Sequence, residues 1–302
     1  MNNNNNHTKE RIYVLGATGN IGPFVLKELI KEQVQITAYT RSPEKLYKAI
    51  PEAKNYQQLS IVQGGFDDLT PFNESIGGHT RLFLLVPDIK DMTRIKIELG
   101  KQAYDVGVEQ IVDLSVQSLP WRYYLVSLPH QETEKALFYY SNRKSSTLVS
   151  LRPSNFMTNM LFSLETIQNQ DMFMEELNPS EPQEWISPYD IGQIAARILM
   201  EPIEKHGDSA YELIGDVKTP QERAVMFSKI LGRPIEYHQV EPQVIYDTFI
   251  KMGFDHALAY SVSTFSAKNP MVTRGLQILL GRKPETVYEW LEKNKDAFLS
   301  KN

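Results

Sequence analysis

An α/β fold, a Rossmann-type doubly wound parallel sheet with a smaller, mostly helical C-terminal lobe, is the class this sequence predicts, and three observations predict it. Short apolar runs alternate with helical patterns through the first half, the first run ends in a glycine-rich turn that opens a helix, and beyond residue 153 the alternation gives way to mostly helical spacing. Strands covered on both faces read as continuous apolar runs, and strands interleaved with helices pair in parallel through right-handed crossovers.

The runs "RIYVLG", "VQITAYT", "LSIVQGG", "RLFLLVP", "EQIVDLS" and "STLVSLRP" each have the length and content of a buried strand. Between them, Pro23 to Glu32, Asp91 to Val106 and His130 to Tyr140 repeat apolar residues at helical spacing. The segment from Phe156 to Glu184 reads as a helix followed by a proline-containing loop. "SPYDIGQIAARILM" reads as a helix capped by Ser187 ahead of Pro188, with Gly192, Ala195 and Ala196 small enough for close packing. "SAYELIG" and "PIEYHQV" are further strands, and the rest from Thr219 onward is mostly helical. The expected organisation is a polar, asparagine-rich tail over residues 1–10, a nucleotide-binding domain over 11–153 with 185–215 packing back onto it, and a smaller substrate or partner lobe from 154–184 and 216–302.

With 41% hydrophobic and 23% charged residues, 302 residues can bury a sizeable core. A net charge of −5 argues against a general nucleic-acid surface. The absence of cysteine removes disulfides, thiolate metal sites and cysteine nucleophiles. Six scattered histidines show no metal-ligand spacing, and no G-x-S-x-G elbow is present, so neither a metal site nor serine hydrolysis is expected. No apolar run is long enough for a membrane span. A cytoplasmic protein without membrane contact, monomeric or homodimeric, is the expectation.

The chemistry concentrates in "GATGNIG". Gly16, Gly19 and Gly22 stand between a strand and a helix, where the first permits the tight turn, the second lets backbone approach a pyrophosphate, and the third lets helix pack on strand. Thr18, Asn20 and Ile21 complete this turn, which sets phosphates on a helix N-terminus. A purely structural turn is the plainer alternative. At the end of the second strand an NAD site usually carries a carboxylate, but "AYTRSPEK" offers Arg41, then Lys45 one turn on, and no acid before Glu44. Arg41 suits a 2′-phosphate, which favours NADP(H); otherwise it is a solvated loop cation.

"GATGNIG", "TRSPEKL", "VQGGFDD", "FLLVP", "QIVDLSVQS", "HQETEKAL", "LRPSNFMTNM" and "WISPYDIGQIAA", in this order and spacing, resemble the NmrA-like branch of the atypical short-chain dehydrogenases/reductases, nearest to its quinone reductases. The resemblance implies a Rossmann domain with substrate or regulator held beside a small lobe. It also implies Phe66 against the adenine, Val86 and Pro87 bordering the cofactor, and Ser115 near the nicotinamide, where Ser115 joins His130 as a candidate catalytic residue. The family often has an acid where Gly65 stands, which leaves an adenine contact either missing or made by Asp67. The superfamily's Tyr-x-x-x-Lys proton donor is absent from its place. Tyr140 and Lys144 match the spacing too late in their helix, and His130 stands at the expected position, followed by Glu132, Glu134 and Lys135. A histidine there can donate a proton near neutral pH, although a helix N-terminus disfavours its charged form; a structural histidine is the commoner use. Lys135 is either a cofactor hydroxyl contact or a solvated helix residue.

Between the fifth strand and this helix, "WRYYLVSLP" places Trp121, Tyr123 and Tyr124 where ligands of such sheets bind, as aromatic walls for a planar acceptor or as cover for the core. Phe156 and Asn159 would form the facing wall by resemblance. The expected function is an NADPH-dependent reductase of a small conjugated or carbonyl acceptor such as a quinone. Its rival is a non-catalytic NADP(H) sensor with a regulator protein as partner.

Overall fold

The computed structural model describes residues 10–87, 91–117, 120–122, 125–265 and 270–299. Expectations for the N-terminal tail up to residue 9, and for Tyr123 and Tyr124, therefore lie outside the described residues. In chain order the strands are β1 (Arg11–Val14), β2 (Gln35–Thr40), β3 (Leu59–Gln63), β4 (Arg81–Leu84), β5 (Gln110–Leu114), β6 (Thr147–Pro153), β7 (Asn155–Phe156), β8 (Met172–Glu175), β9 (Gln183–Ile186), β10 (Ala210–Leu213), β11 (Asp216–Lys218) and β12 (Glu236–Gln239). The helices begin with α1 (Gly22–Lys31), α2 (Pro43–Ala49), α3 (Thr70–Ser75), α4 (Met92–Asp105), α5 (Ser127–Lys144), α6 (Leu164–Gln170) and α7 (Pro188–Met200). They continue with α8 (Ile203–His206), α9 (Pro220–Leu231), α10 (Pro242–Lys251), α11 (His256–Thr264), α12 (Leu276–Leu280), α13 (Val287–Lys293) and α14 (Lys295–Phe298).

The chain forms two compact units. The first takes residues 1–121, 127–152 and 191–212; the second takes 122–126, 153–190 and 213–302.

The first unit is built on a seven-stranded parallel sheet in the order β10-β6-β5-β4-β1-β2-β3. Strands β1, β4 and β5 are apolar and buried almost throughout, as a sheet covered on both faces demands. The chain winds outward from β1 through β2 and β3, then resumes on β1's other side with β4, so the order reverses between β1 and β4. In sheets of this kind the crevice at the carboxyl ends of these two strands is where ligands bind. Helix α1 buries Gly22, Val25, Leu26 and Leu29, the i, i+3, i+4, i+7 stripe of an amphipathic helix. Helix α7 caps with Ser187, whose hydroxyl accepts the Tyr189 N–H at 3.2 Å. Its Gly192 lies so close to α1 that a Cβ there would overlap the Phe24 Cβ and approach the Val25 nitrogen to 3.1 Å.

The second unit has its own core of Met157, Met160, Phe173, Trp185, Phe227 and Trp290, among others. It carries a three-stranded sheet, β11-β9-β7, and a two-stranded pair, β12-β8. Helix α6 lies in the segment from Phe156 to Glu184 as expected, but strand β8 corrects the reading of a helix running on directly into the proline-containing loop. Four residues show no usable alternation, and the parallel partner, β12, lies some sixty residues further on. Helices α9 and α13 both open with capping boxes, Thr219 with Glu222 and Thr286 with Glu289. Among the described residues no helix is long and apolar enough to cross a membrane, and no group of His, Asp and Glu could hold a metal ion.

Candidate functional site

Residues 15–21 connect β1 to α1 at the point where the strand order reverses. Gly16 has φ of +69°, which a side chain resists, and a Cβ on it would also press on the Leu85 side chain. The Gly19 N–H donates to the Gly16 carbonyl at 3.0 Å and closes the turn. At Gly22 a Cβ would overlap the Gly16 carbonyl oxygen and stand 2.8 Å from the Ala17 Cα. Gly19 and Asn20 are exposed while Ile21 is buried, so the turn shows backbone to solvent and anchors itself through one aliphatic side chain. Helix α1 begins with Pro23 in its first turn, without a side-chain cap and without an acid in that turn. Its N-terminal dipole therefore points outward with no competing anion of its own, which is the electrostatic condition for holding a phosphate.

Thr18 reaches across to β2, its hydroxyl 3.3 Å from that of Thr40. Arg41 and Lys45 follow β2, both exposed, and neither forms an ion pair among the described residues. The Arg41 side chain runs beside Gly65, where a Cβ would stand 3.7 Å from it. Gly64 leaves room for Tyr39, whose hydroxyl donates to the Gly65 carbonyl at 2.7 Å and whose ring packs 6.3 Å from that of Phe66. Burial pushes the Tyr39 hydroxyl above its ordinary range, so it acts as a fixed strut. Asp67 is exposed. Val86 is buried and Pro87 exposed just beyond β4, and the Leu15 N–H bonds the Phe83 carbonyl at 3.0 Å, tying the glycine turn to that strand.

Ser115 follows β5, its N–H donating to the Leu151 carbonyl at 2.8 Å. Its hydroxyl donates to the Glu134 carboxylate on α5. The same carboxylate receives two nitrogens of Arg152 from β6, with Nε at 3.0 Å, and Arg152 lies 3.6 Å from Glu212 on β10.

Beside it lies a second buried pair. Lys96 of α4 and Asp113 of β5 are fully buried, with Nζ 2.7 Å from Asp113 Oδ1 and 2.6 Å from the Leu114 carbonyl. Burial raises the Asp113 carboxyl pKa against the pull of Lys96. His130 sits in the first turn of α5, and its Nδ1 is shielded from solvent without a hydrogen-bond partner among the described residues. Burial, and next the Lys96 charge, hold its pKa well below the ordinary value of 6.5, so the ring is neutral at neutral pH.

Lys135 and Trp121 come together, with the ammonium 5.9 Å from the ring centroid. Both line a groove of about 440 Å³ between α5 and the strands β6 and β10, to which none of the glycine-turn residues contributes. Phe156, half-buried, and Asn159, exposed, belong to the second unit. Tyr140 and Lys144 both bond Asp105 of α4, at 2.9 and 2.7 Å, at the far end of α5.

Sequence reading missed the partners of Glu134 and the Lys96–Asp113 pair. A signal existed for each, because a carboxylate in the buried run "QIVDLS" and an arginine ending "STLVSLRP" both require opposite charges nearby.

A segment of 84 residues is 37% identical to an oxidoreductase, stcQ, of Emericella nidulans, covering 26% of this chain and 31% of that protein, so the match spans less than a third of that relative's length. The fold is similar to that of an NADPH-dependent quinone oxidoreductase from Escherichia coli in complex with NADPH, with a TM-score of 0.76 at 22% identity over 94% of this chain and 99% of that one. It is equally similar to that of Nmra, a negative transcriptional regulator, in complex with NAD, with a TM-score of 0.75 at 15% identity over 95% of each chain. The NmrA-like family model matches residues 8–293, so the chain belongs to the NmrA-like family.

Proposed function

We propose that this chain binds NADP(H) and passes hydride from it to a small conjugated or carbonyl acceptor, a quinone being the best fit. The observation that carries this reading is the uncapped, acid-free start of α1 behind a turn whose Gly16 and Gly22 leave no room for a Cβ, followed beyond β2 by Arg41 and Lys45 in place of a carboxylate. The α1 N-terminus would hold the pyrophosphate, and Arg41 with Lys45 the 2′-phosphate. The E. coli relative in complex with NADPH supports the same assignment. When bound, NADPH supplies the hydride.

The chain's own groups bear on which acceptors suit it. Ser115 has its hydroxyl proton directed at Glu134, and His130 is held neutral, so neither is a ready acid at neutral pH. A strongly basic alkoxide would lack a donor. A hydroquinone oxygen, far less basic, takes its proton from water, which places quinones ahead of simple ketones.

The missing acid also favours a second reading, a sensor that binds NADP(H) without turning it over, and a regulator of this fold exists. Following nicotinamide absorbance with a panel of quinones, enones and aldehydes, each against a protein-free control, separates the two. Protein-dependent loss of NADPH with quinones supports the reductase. Survival of bound NADPH with every acceptor leaves the sensor.

A further inference from the structure

The groove beside α5 lies outside the glycine turn and carries its own chemistry. Gln131, Glu134, Lys135 and Phe138 recur at helical spacing and form one face of α5 toward it, and alternate residues of β6 supply its floor. We infer that this groove is a binding site for a planar aromatic anion, a carboxylate or sulfonate on a one- or two-ring system.

Charge argues for the anion. Of the lining cations, Arg152 is engaged by Glu134 and Glu212, whereas Lys135 has no carboxylate partner among the described residues. Among the described residues its ammonium meets only the face of Trp121, an attraction that leaves its N–H donors available to an oxyanion. The carboxylates sort the same way. Glu134 is paired with Arg152 and bonded by the Ser115 hydroxyl, while Asp208 accepts the Leu148 N–H at 2.8 Å beside the start of β10 and forms no ion pair among the described residues. Helix α5 and strand β6 run in opposite directions, so Gln131 and Arg152 lie at one end of the groove and Phe138, Leu148 and Asp208 at the other, with Lys135 and Trp121 between them. An anion sits at Lys135, and a hydroxyl or amine donor suits the Asp208 end.

Shape argues for the aromatic ring. Trp121 is 57% exposed and Phe138 39%, so two ring faces are left in water beside the apolar floor of Leu148 and Ala210. A volume of about 440 Å³ falls in the roughly 300–1,000 Å³ range of small-molecule sites.

The test is calorimetric titration of the full chain with naphthalene-2-sulfonate and its neutral analogue naphthalene-2-sulfonamide, with and without saturating NADPH. The sulfonate is expected to bind at least tenfold more tightly, to weaken with salt, and to bind equally with NADPH present. Lys135→Met should erase the preference for the sulfonate and Lys135→Arg should keep it, both variants being checked for native circular dichroism. Trp121→Ala should weaken both ligands alike. Equal affinity for the two ligands, an unchanged sulfonate affinity in Lys135→Met, or no binding at all would overturn the site. Displacement by NADPH would overturn it too, since Lys135 would then belong to the cofactor. None of these outcomes depends on hydride transfer, so the site and the reductase reading stand or fall separately.

Discussion

A single methyl group at Gly22 decides whether the first turn can close. The Gly16 carbonyl and the Ala17 Cα occupy the space it would fill, and both are backbone, which cannot swing aside. Gly22→Ala should therefore cost about 2 kcal/mol or more in urea denaturation, within the range for overpacking at a rigid site, and should abolish NADPH binding in the same preparation. Arg41 is the residue proposed to hold the 2′-phosphate. Arg41→Asp should weaken NADPH by tenfold or more while leaving NADH within about threefold, read by titration of each dinucleotide; equal losses would remove Arg41 from the 2′-phosphate. These positions were legible in the sequence because their signals are local. Glu134 was visible only as a neighbour of His130. What gives it meaning is Arg152, eighteen residues away on another element, and single-sequence spacing does not report such a pairing.

Between elements, the buried Lys96–Asp113 pair links α4 to β5. Removing one member strands the other charge in an apolar interior, at a cost of about 3–5 kcal/mol, while replacing both with apolar residues of similar size can be neutral. Lys96→Met is expected to destabilise by about that amount, and Lys96→Met with Asp113→Leu to recover most of it. Chemical denaturation of both variants checks the pair; equal losses in the two would show that the ion pair itself stabilises. The seven strands of the first unit's sheet and its helices α1, α4 and α5 were readable because buried parallel strands are continuous in hydrophobicity and helices carry a stripe. Strand β8 was not, since a four-residue strand acquires its identity from β12.

Across the molecule, the two units respond to pH through different groups. In the second, burial first, with the neighbouring Glu175 and Glu181 charges adding to it, pushes Glu176 up to about 7 from the ordinary 4.5. The folded state then holds a proton that the unfolded chain releases, so this stabilisation is complete below pH 4.5 and lost as pH rises through 7. Glu176→Gln should gain about 1 to 3 kcal/mol over the parent at pH 8 and little at pH 4, measured by thermal denaturation at both. In the first, His130 has the opposite sign. Its depressed pKa makes the unfolded chain the stronger proton binder, so stability falls as pH drops below 6.5.

The placing of the tryptophans has a spectroscopic outcome. Trp185 and Trp290 are 3% and 6% exposed in the core of the second unit, and the Arg223 guanidinium stacks on Trp185 with 4.8 Å to the ring centroid. Trp121, the first unit's, already stands in water. Ultraviolet emission from this chain should thus shift to the red when the second unit melts and stay nearly silent when the parallel sheet does, so an emission melt would record one unit and miss the other.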